Sequence, residues 1–165
     1  MDFLQTPNLN FNNMPICPFI QGDLHTGNIK FMVYEKGVES MLPDMDDGFI
    51  NMIREWRDSD FKTGLILHVD NSCKYFKRKT HQKYLNETIQ ANGMKDIKLL
   101  AFSPFEDFNI AGVDTRKKAP CILYNLAKKK DLHEANEKLK KTKWYDKLLT
   151  EDFKRLGIKK HKKLL

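Results

Sequence analysis

The sequence predicts an α/β domain, a small sheet of about three main strands with helices packed on it in the order βαβαβ, followed by a helical C-terminal region. Three observations predict it. Apolar runs of strand length stand at residues 29–34, 63–69 and 97–102; stretches with helical spacing separate them; and turn residues punctuate the joints. Connections of this length favour parallel strands with right-handed crossovers, with a ferredoxin-like arrangement containing an antiparallel neighbour as the alternative.

In chain order, residues 1–16 place Phe3, Leu4 and Leu9 among Asn, Pro and Thr, which predicts an arm laid across the surface with no regular element. Pro18 favours a helix start with Cys17 as its cap and Gly27 near its end. The first strand, 29–34, follows. Asp44, Asp46 and Asp47 then supply negative charge at a helix start, and Phe49, Met52, Ile53 and Trp56 recur at i, i+3, i+4 and i+7. TGLILHV at 63–69 is continuous in apolar character, the pattern of a strand covered on both faces. Residues 72–92 read as a longer helix with Phe76, Leu85 and Ile89 inward, stopped by Asn92-Gly93. After the third strand, Pro120 predicts a helix containing Ile122, Leu123 and Leu126. Asp131 with Glu134 resembles a capping box for another through Leu139, and Thr150 starts a short last one ending at Gly157. The expected organisation is an arm (1–16), one domain (17–157) and a basic tail (158–165).

The 165 residues suffice for one core without staples, and the 41% hydrophobic and 31% charged composition is that of a globular chain. No apolar run approaches the roughly 20 residues of a membrane span, and MDFLQTPNLNFNN has neither the basic nor the apolar segment of a signal peptide. The expectation is a cytoplasmic protein. Cys17, Cys73 and Cys121 are too few and too scattered for a disulfide framework and form no Cys-x-x-Cys pair, so reduced thiols and no dedicated metal site are expected. The net charge of +7 lies mostly after Lys128, in KKK, KLKKTK and KKHKK. Nucleic-acid binding through these C-terminal lysines is therefore one reading, beside the plainer one of a solvated basic face.

Ligands of open α/β sheets sit beyond the carboxyl ends of the strands, which here directs attention to Glu35, His68, Asp70, Asn71, Ser103, Glu106 and Asp107. Cys17, at a helix start expected on the same edge, would feel the positive end of the dipole and gain nucleophilicity. Arg116 and Lys117, ahead of the expected helix at Pro120, suit a carboxylate or phosphate. The catalytic candidates are thus Cys17 as nucleophile or ligand, His68 as base or ligand and Asp107 as the orienting acid; the ligand-binding candidates are Arg116, Lys117, Ser103 and Asn71. Each has a bland alternative: Cys17 as a small buried apolar residue, His68 as a satisfied core histidine, Asp107 as a turn former. The functional reading is an enzyme-like site for a small anionic molecule. A nucleic-acid accessory protein and a metal protein using Cys17, His68 and Cys73 are the alternatives, and neither cofactor nor oligomeric state is indicated.

Cys17-Pro18-Phe19 ahead of a helix and a strand resembles the Cys-Pro-Phe of glutaredoxins, in which the Cys attacks disulfides; position 20 is Ile, so no second thiol stands there. A longer resemblance is to an uncharacterised family of small bacterial proteins of unknown function. It is carried by Cys17-Pro18-Phe19, Leu65 to His68, Ala101-Phe102-Ser103-Pro104, Phe108 with Ala111-Gly112, and Arg116 with Pro120. That resemblance implies a shared architecture and site location and no particular substrate; Ser103 stands where that family has His.

Overall fold

The computed structural model describes residues 2–8, 15–17, 20–35, 46–69, 77–110 and 113–141. Its elements, in chain order, are α1 (Asp2–Gln5), α2 (Ile20–His25), β1 (Ile29–Tyr34), α3 (Asp47–Arg57), β2 (Thr63–His68), α4 (Arg78–Ala91), β3 (Ile97–Phe102), the short strands β4 (Asn109–Ile110) and β5 (Val113–Asp114), β6 (Ile122–Lys128) and α5 (Lys129–Lys140). The protein is α/β, with a mixed four-stranded sheet in the order β1-β2-β6-β3 and a separate β4-β5 hairpin.

β1 and β2 pair in parallel from Ile29 opposite Thr63 to Tyr34 opposite His68. β6 runs antiparallel to both β2 and β3, so β1, β2 and β3 all point the same way and their carboxyl ends share one edge. Both crossovers step across the sheet in one direction, and the right-handed rule then puts α3 and α4 on one face. The packing agrees: Phe49, Ile53 and Trp56 of α3 and Leu85 and Ile89 of α4 form one core with Met32, Ile66, Leu99, Tyr124 and Leu126. On the opposite face Leu4, Ile16 and Ile20 pack with Ile29, Leu65, Phe102 and Leu123.

The principal correction concerns residues 120–128. Ile122, Leu123 and Leu126 are a strand, not a helix. Their spacing suits either element in so short a run, and tertiary context decides it. Ile122, Tyr124 and Leu126 enter one core while Leu123 enters the other, so both faces are apolar, as a strand between two others requires. The arm also differs from expectation: Asp2–Gln5 form a helical turn, Leu4 is fully buried, and Phe3 packs edge-on against Phe102.

The remaining boundaries follow local chemistry. Asp46 caps α3, its carboxylate accepting from the Phe49 N–H at 3.0 Å. α4 ends at Asn92, and Gly93 takes φ +82°, a conformation that suits glycine. α2 is described over Ile20–His25, the helix start expected at Pro18 lying outside the described residues, and α5 begins at Lys129, so Asp131 lies inside its first turn instead of capping it. Phe76, Cys73 and Asn71, the helix expected from Thr150 and the 158–165 tail lie outside the described residues.

β3 is an outer strand, and α4 covers its backbone. Asn86 donates to the Leu99 carbonyl at 2.9 Å and accepts from the Leu99 N–H at 3.1 Å, while Gln82 accepts from the Ala101 N–H at 2.9 Å. Two side chains one helical turn apart thus satisfy edge groups that would otherwise invite another strand. They also fix where α4 starts relative to the carboxyl edge of the sheet.

Candidate functional site

At that edge, on the α3/α4 face, lies a cluster of buried polar aromatic groups. Tyr34 and His68 are the paired last residues of β1 and β2. Tyr124 enters from the neighbouring β6, and His81 comes from the first turn of α4. His68 and His81 are each 1% exposed and Tyr124 is completely buried. The Tyr124 hydroxyl lies 3.0 Å from His81 Nε2 and 3.4 Å from His68 Nδ1. Ring contacts hold the geometry: Tyr34 meets His68 at 5.2 Å and Phe49 at 5.1 Å between centroids, and Phe49 meets Tyr124 at 5.3 Å.

A phenol between two imidazoles has one proton to give. If Tyr124 donates to His81, its oxygen accepts from His68 Nδ1–H, and His68 Nε2 carries the lone pair. If Tyr124 donates to His68 Nδ1, that histidine carries its proton on Nε2 and His81 Nε2–H donates to the phenol. The hydroxyl orientation therefore selects whether His68 Nε2 is a hydrogen-bond acceptor and base or a hydrogen-bond donor. Burial, reinforced by the nearby His68 ring, pushes His81 down to about 3, so it is neutral at ordinary pH. Tyr34 donates to Asp46 Oδ1 at 3.1 Å; burial first, then this carboxylate, push its phenol up to about 12. Asp46 thus caps α3 and orients the tyrosine beside His68.

Arg78, the first residue of α4 and three before His81, is 7% exposed. Its backbone N–H donates to Glu106 Oε1 at 3.1 Å, and its Nε lies 3.3 Å from the same oxygen. That second contact is an ion pair without hydrogen-bond alignment, since Arg78 Nε is buried with no hydrogen-bond partner among the described residues. Phe108 lies under the guanidinium, 5.1 Å from ring centroid to Cζ.

The sequence candidates are placed as follows. His68 is in the cluster, at the strand end where it was expected. Cys17 packs against the core of the opposite face, and its N–H donates to the Leu4 carbonyl at 3.1 Å. The sheet lies between Cys17 and His68, so they do not converge. No helix follows Pro120, and Arg116, exposed with φ +50°, lies on a stretch tied to the arm: Asn8 donates to the Thr115 carbonyl at 2.9 Å and Lys117 Nζ donates to the Thr6 carbonyl at 3.2 Å. Ser103 is 2% exposed and acts as a turn former, its Oγ accepting from Phe105 N–H at 3.0 Å and its carbonyl from Ala119 N–H at 3.2 Å. Asp107 is exposed beside Glu106. Among the described residues no three His, Cys, Asp or Glu side chains gather as a metal would need.

Sequence reading missed Tyr34, Arg78, His81 and Tyr124. Tyr34 carried a signal: like His68, it is a polar-tipped ring closing an apolar strand. Tyr124 was hidden by the helix assignment, and Arg78 and His81 acquire their meaning only from what β3 and β6 bring to them. The described part of α5 is mixed in sign, with Lys129, Lys130, Lys138 and Lys140 beside Asp131, Glu134 and Glu137, and no helix among the described residues is long and apolar enough to cross a membrane. Comparison with protein-family models, curated proteins and solved structures gives no match in any of the three.

Proposed function

We propose that the carboxyl edge of the sheet binds a small anionic molecule between the start of α4 and the turn after β3, and that His68, positioned by Tyr124 and His81, exchanges a proton with it. The anionic ligand of the sequence reading is retained, while its anchor moves from Arg116 to Arg78. Cys17 has no part in this reading because it belongs to the other face.

The observation that carries the reading is Arg78. A guanidinium is costly to bury, and a purely structural arginine is expected to have its N–H groups paired. Arg78 is 7% exposed, yet its Nε has no hydrogen-bond partner among the described residues. It also stands at the N-terminus of a 14-residue helix, where N–H groups and dipole favour an anion. The acid–base part rests on the hydroxyl-dependent tautomer of His68, which shares the Tyr124 hydroxyl with His81, one helical turn along α4 from Arg78.

Thermal unfolding of the full chain in rising phosphate, acetate or succinate tests the binding. A ligand of the folded state stabilises by about 2.7 kcal/mol at a hundred times its Kd, so at least one anion is expected to give a saturable rise in Tm that Arg78→Gln removes. Shifts that follow ionic strength alone and are equal in the variant would refute the site.

A further inference from the structure

We infer that Glu106 is a built-in stand-in for the anionic ligand, occupying the donors of Arg78 and the α4 N-terminus until an external anion displaces it. The inference rests on the anion-site reading above and adds a regulatory contact to it. One oxygen, Glu106 Oε1, faces both the Arg78 backbone N–H at 3.1 Å and Arg78 Nε at 3.3 Å. Those are the donors that an oxygen of a bound carboxylate or phosphate would use at a helix start flanked by arginine.

The pair is unequal in a way that permits exchange. The Arg78 side chain is 8% exposed and the Glu106 side chain 42% exposed, so the glutamate can turn into water at little cost while the arginine stays buried. Nor does the fit satisfy the arginine, whose Nε remains without a hydrogen-bond partner among the described residues. An anion free to choose its angle can align with both donors; a glutamate tethered to its own turn does not.

The backbone around Glu106 is pinned on both sides, which confines the exchange to a side-chain rotation. Ser103 holds the turn through Phe105 N–H at 3.0 Å and Ala119 N–H at 3.2 Å, and Phe108 donates its N–H to the Lys117 carbonyl at 2.9 Å and accepts from Thr115 N–H at 3.0 Å. Phe108 stays under the guanidinium whether Glu106 is in or out, keeping Arg78 in place for the incoming ligand.

Isothermal titration of the full chain with inorganic phosphate, and with acetate as the carboxylate arm, tests this at constant ionic strength. Glu106→Gln keeps the shape and removes the charge; Glu106→Ala removes the competitor altogether. Both are expected to tighten binding of at least one anion on the order of tenfold, with Ala at least as tight as Gln, since the displaced contact is a partly exposed ion pair with a helix-terminus contribution. Arg78→Gln, and Arg78→Lys where the former fails to fold by circular dichroism, should weaken binding in the Glu106→Ala background. Equal affinity in wild type and both Glu106 variants, still lost on changing Arg78, would overturn the stand-in while leaving the anion site. No binding even in Glu106→Ala, or binding indifferent to Arg78, would overturn both.

Discussion

Replacing Tyr124 by Phe removes one oxygen from the centre of the cluster and leaves the ring in place, so its effect can be worked from the contacts. The edge-on packing against Phe49 at 5.3 Å does not depend on the hydroxyl. What is lost is a contact at 3.0 Å with His81 Nε2, within ordinary hydrogen-bond range, and a longer one at 3.4 Å with His68 Nδ1. A net hydrogen bond contributes about 1 kcal/mol, and depriving a buried nitrogen of its partner adds about 1–3 kcal/mol; His81 is buried, so a total of about 2–4 kcal/mol is expected. The longer contact adds little. Urea unfolding followed by circular dichroism at pH 7 reads this directly: with a slope of about 2 kcal/mol/M for a domain of this size, the midpoint should fall by ~1–2 M at unchanged slope. Nitrogen NMR on the histidines supplies a second readout, because His68 loses the group that selects its tautomer. A midpoint within about 0.2 M of wild type, with the histidine signals unmoved, would refute the hydroxyl's role between the two rings.

Acid should destabilise the fold through His81. Its folded-state value, about 3, lies below the ordinary 6.5, so the unfolded chain binds the extra proton between those values and stability falls as pH drops through that window, by up to about 1.4 kcal/mol per pH unit; urea midpoints from pH 7 to 4 test this, and a His81→Gln variant should show a shallower fall. Gly64→Ala should cost about 1–3 kcal/mol by overpacking, because a Cβ there would lie 3.0 Å from three ring atoms of the fully buried Trp56; thermal unfolding checks it, and no change in Tm would mean the indole has room to move. Asn86→Ala should cost about 2–3 kcal/mol by exposing or orphaning the Leu99 N–H and carbonyl, and faster amide exchange at Leu99 should accompany it; unchanged exchange would show that the side chain does not guard that edge.

Several parts of this fold were readable residue by residue. β1 and β3 begin and end where their apolar runs do, α3 starts at the capping Asp46, and α4 stops at Asn92-Gly93, because each of those signals acts over one or two turns of chain. Residues 122–128 were not readable. A run of seven residues fits both periods, and only the vacancy between β2 and β3, bordered by Leu65 and Leu100, selects the strand. That change of element puts Tyr124, instead of a helical side chain, next to the end of β2.

The candidate site divides in the same manner. His68 was accessible to sequence reasoning, since it terminates an apolar strand whose carboxyl end lies on the edge where open α/β sheets generally hold ligands. Cys17 was assigned to the same edge, and the direction along the sheet says nothing about the face. The arm and α2 pack on one side and α3 and α4 on the other, so Cys17 and His68 are separated by the thickness of the sheet.

The sequence by itself determined the α/β class, the three main strands and the polar residue that closes the second of them, because hydrophobic periodicity and capping are local properties of the chain, while it left the direction of those strands open between a parallel and a ferredoxin-like arrangement. Only the tertiary structure decided which residues meet at that edge. Tyr124 reaches His81 across 43 positions of sequence and His68 across 56, and Glu106 reaches Arg78 across 28. Contacts at such separations follow from strand order, register and the face each helix covers, and no short segment encodes them.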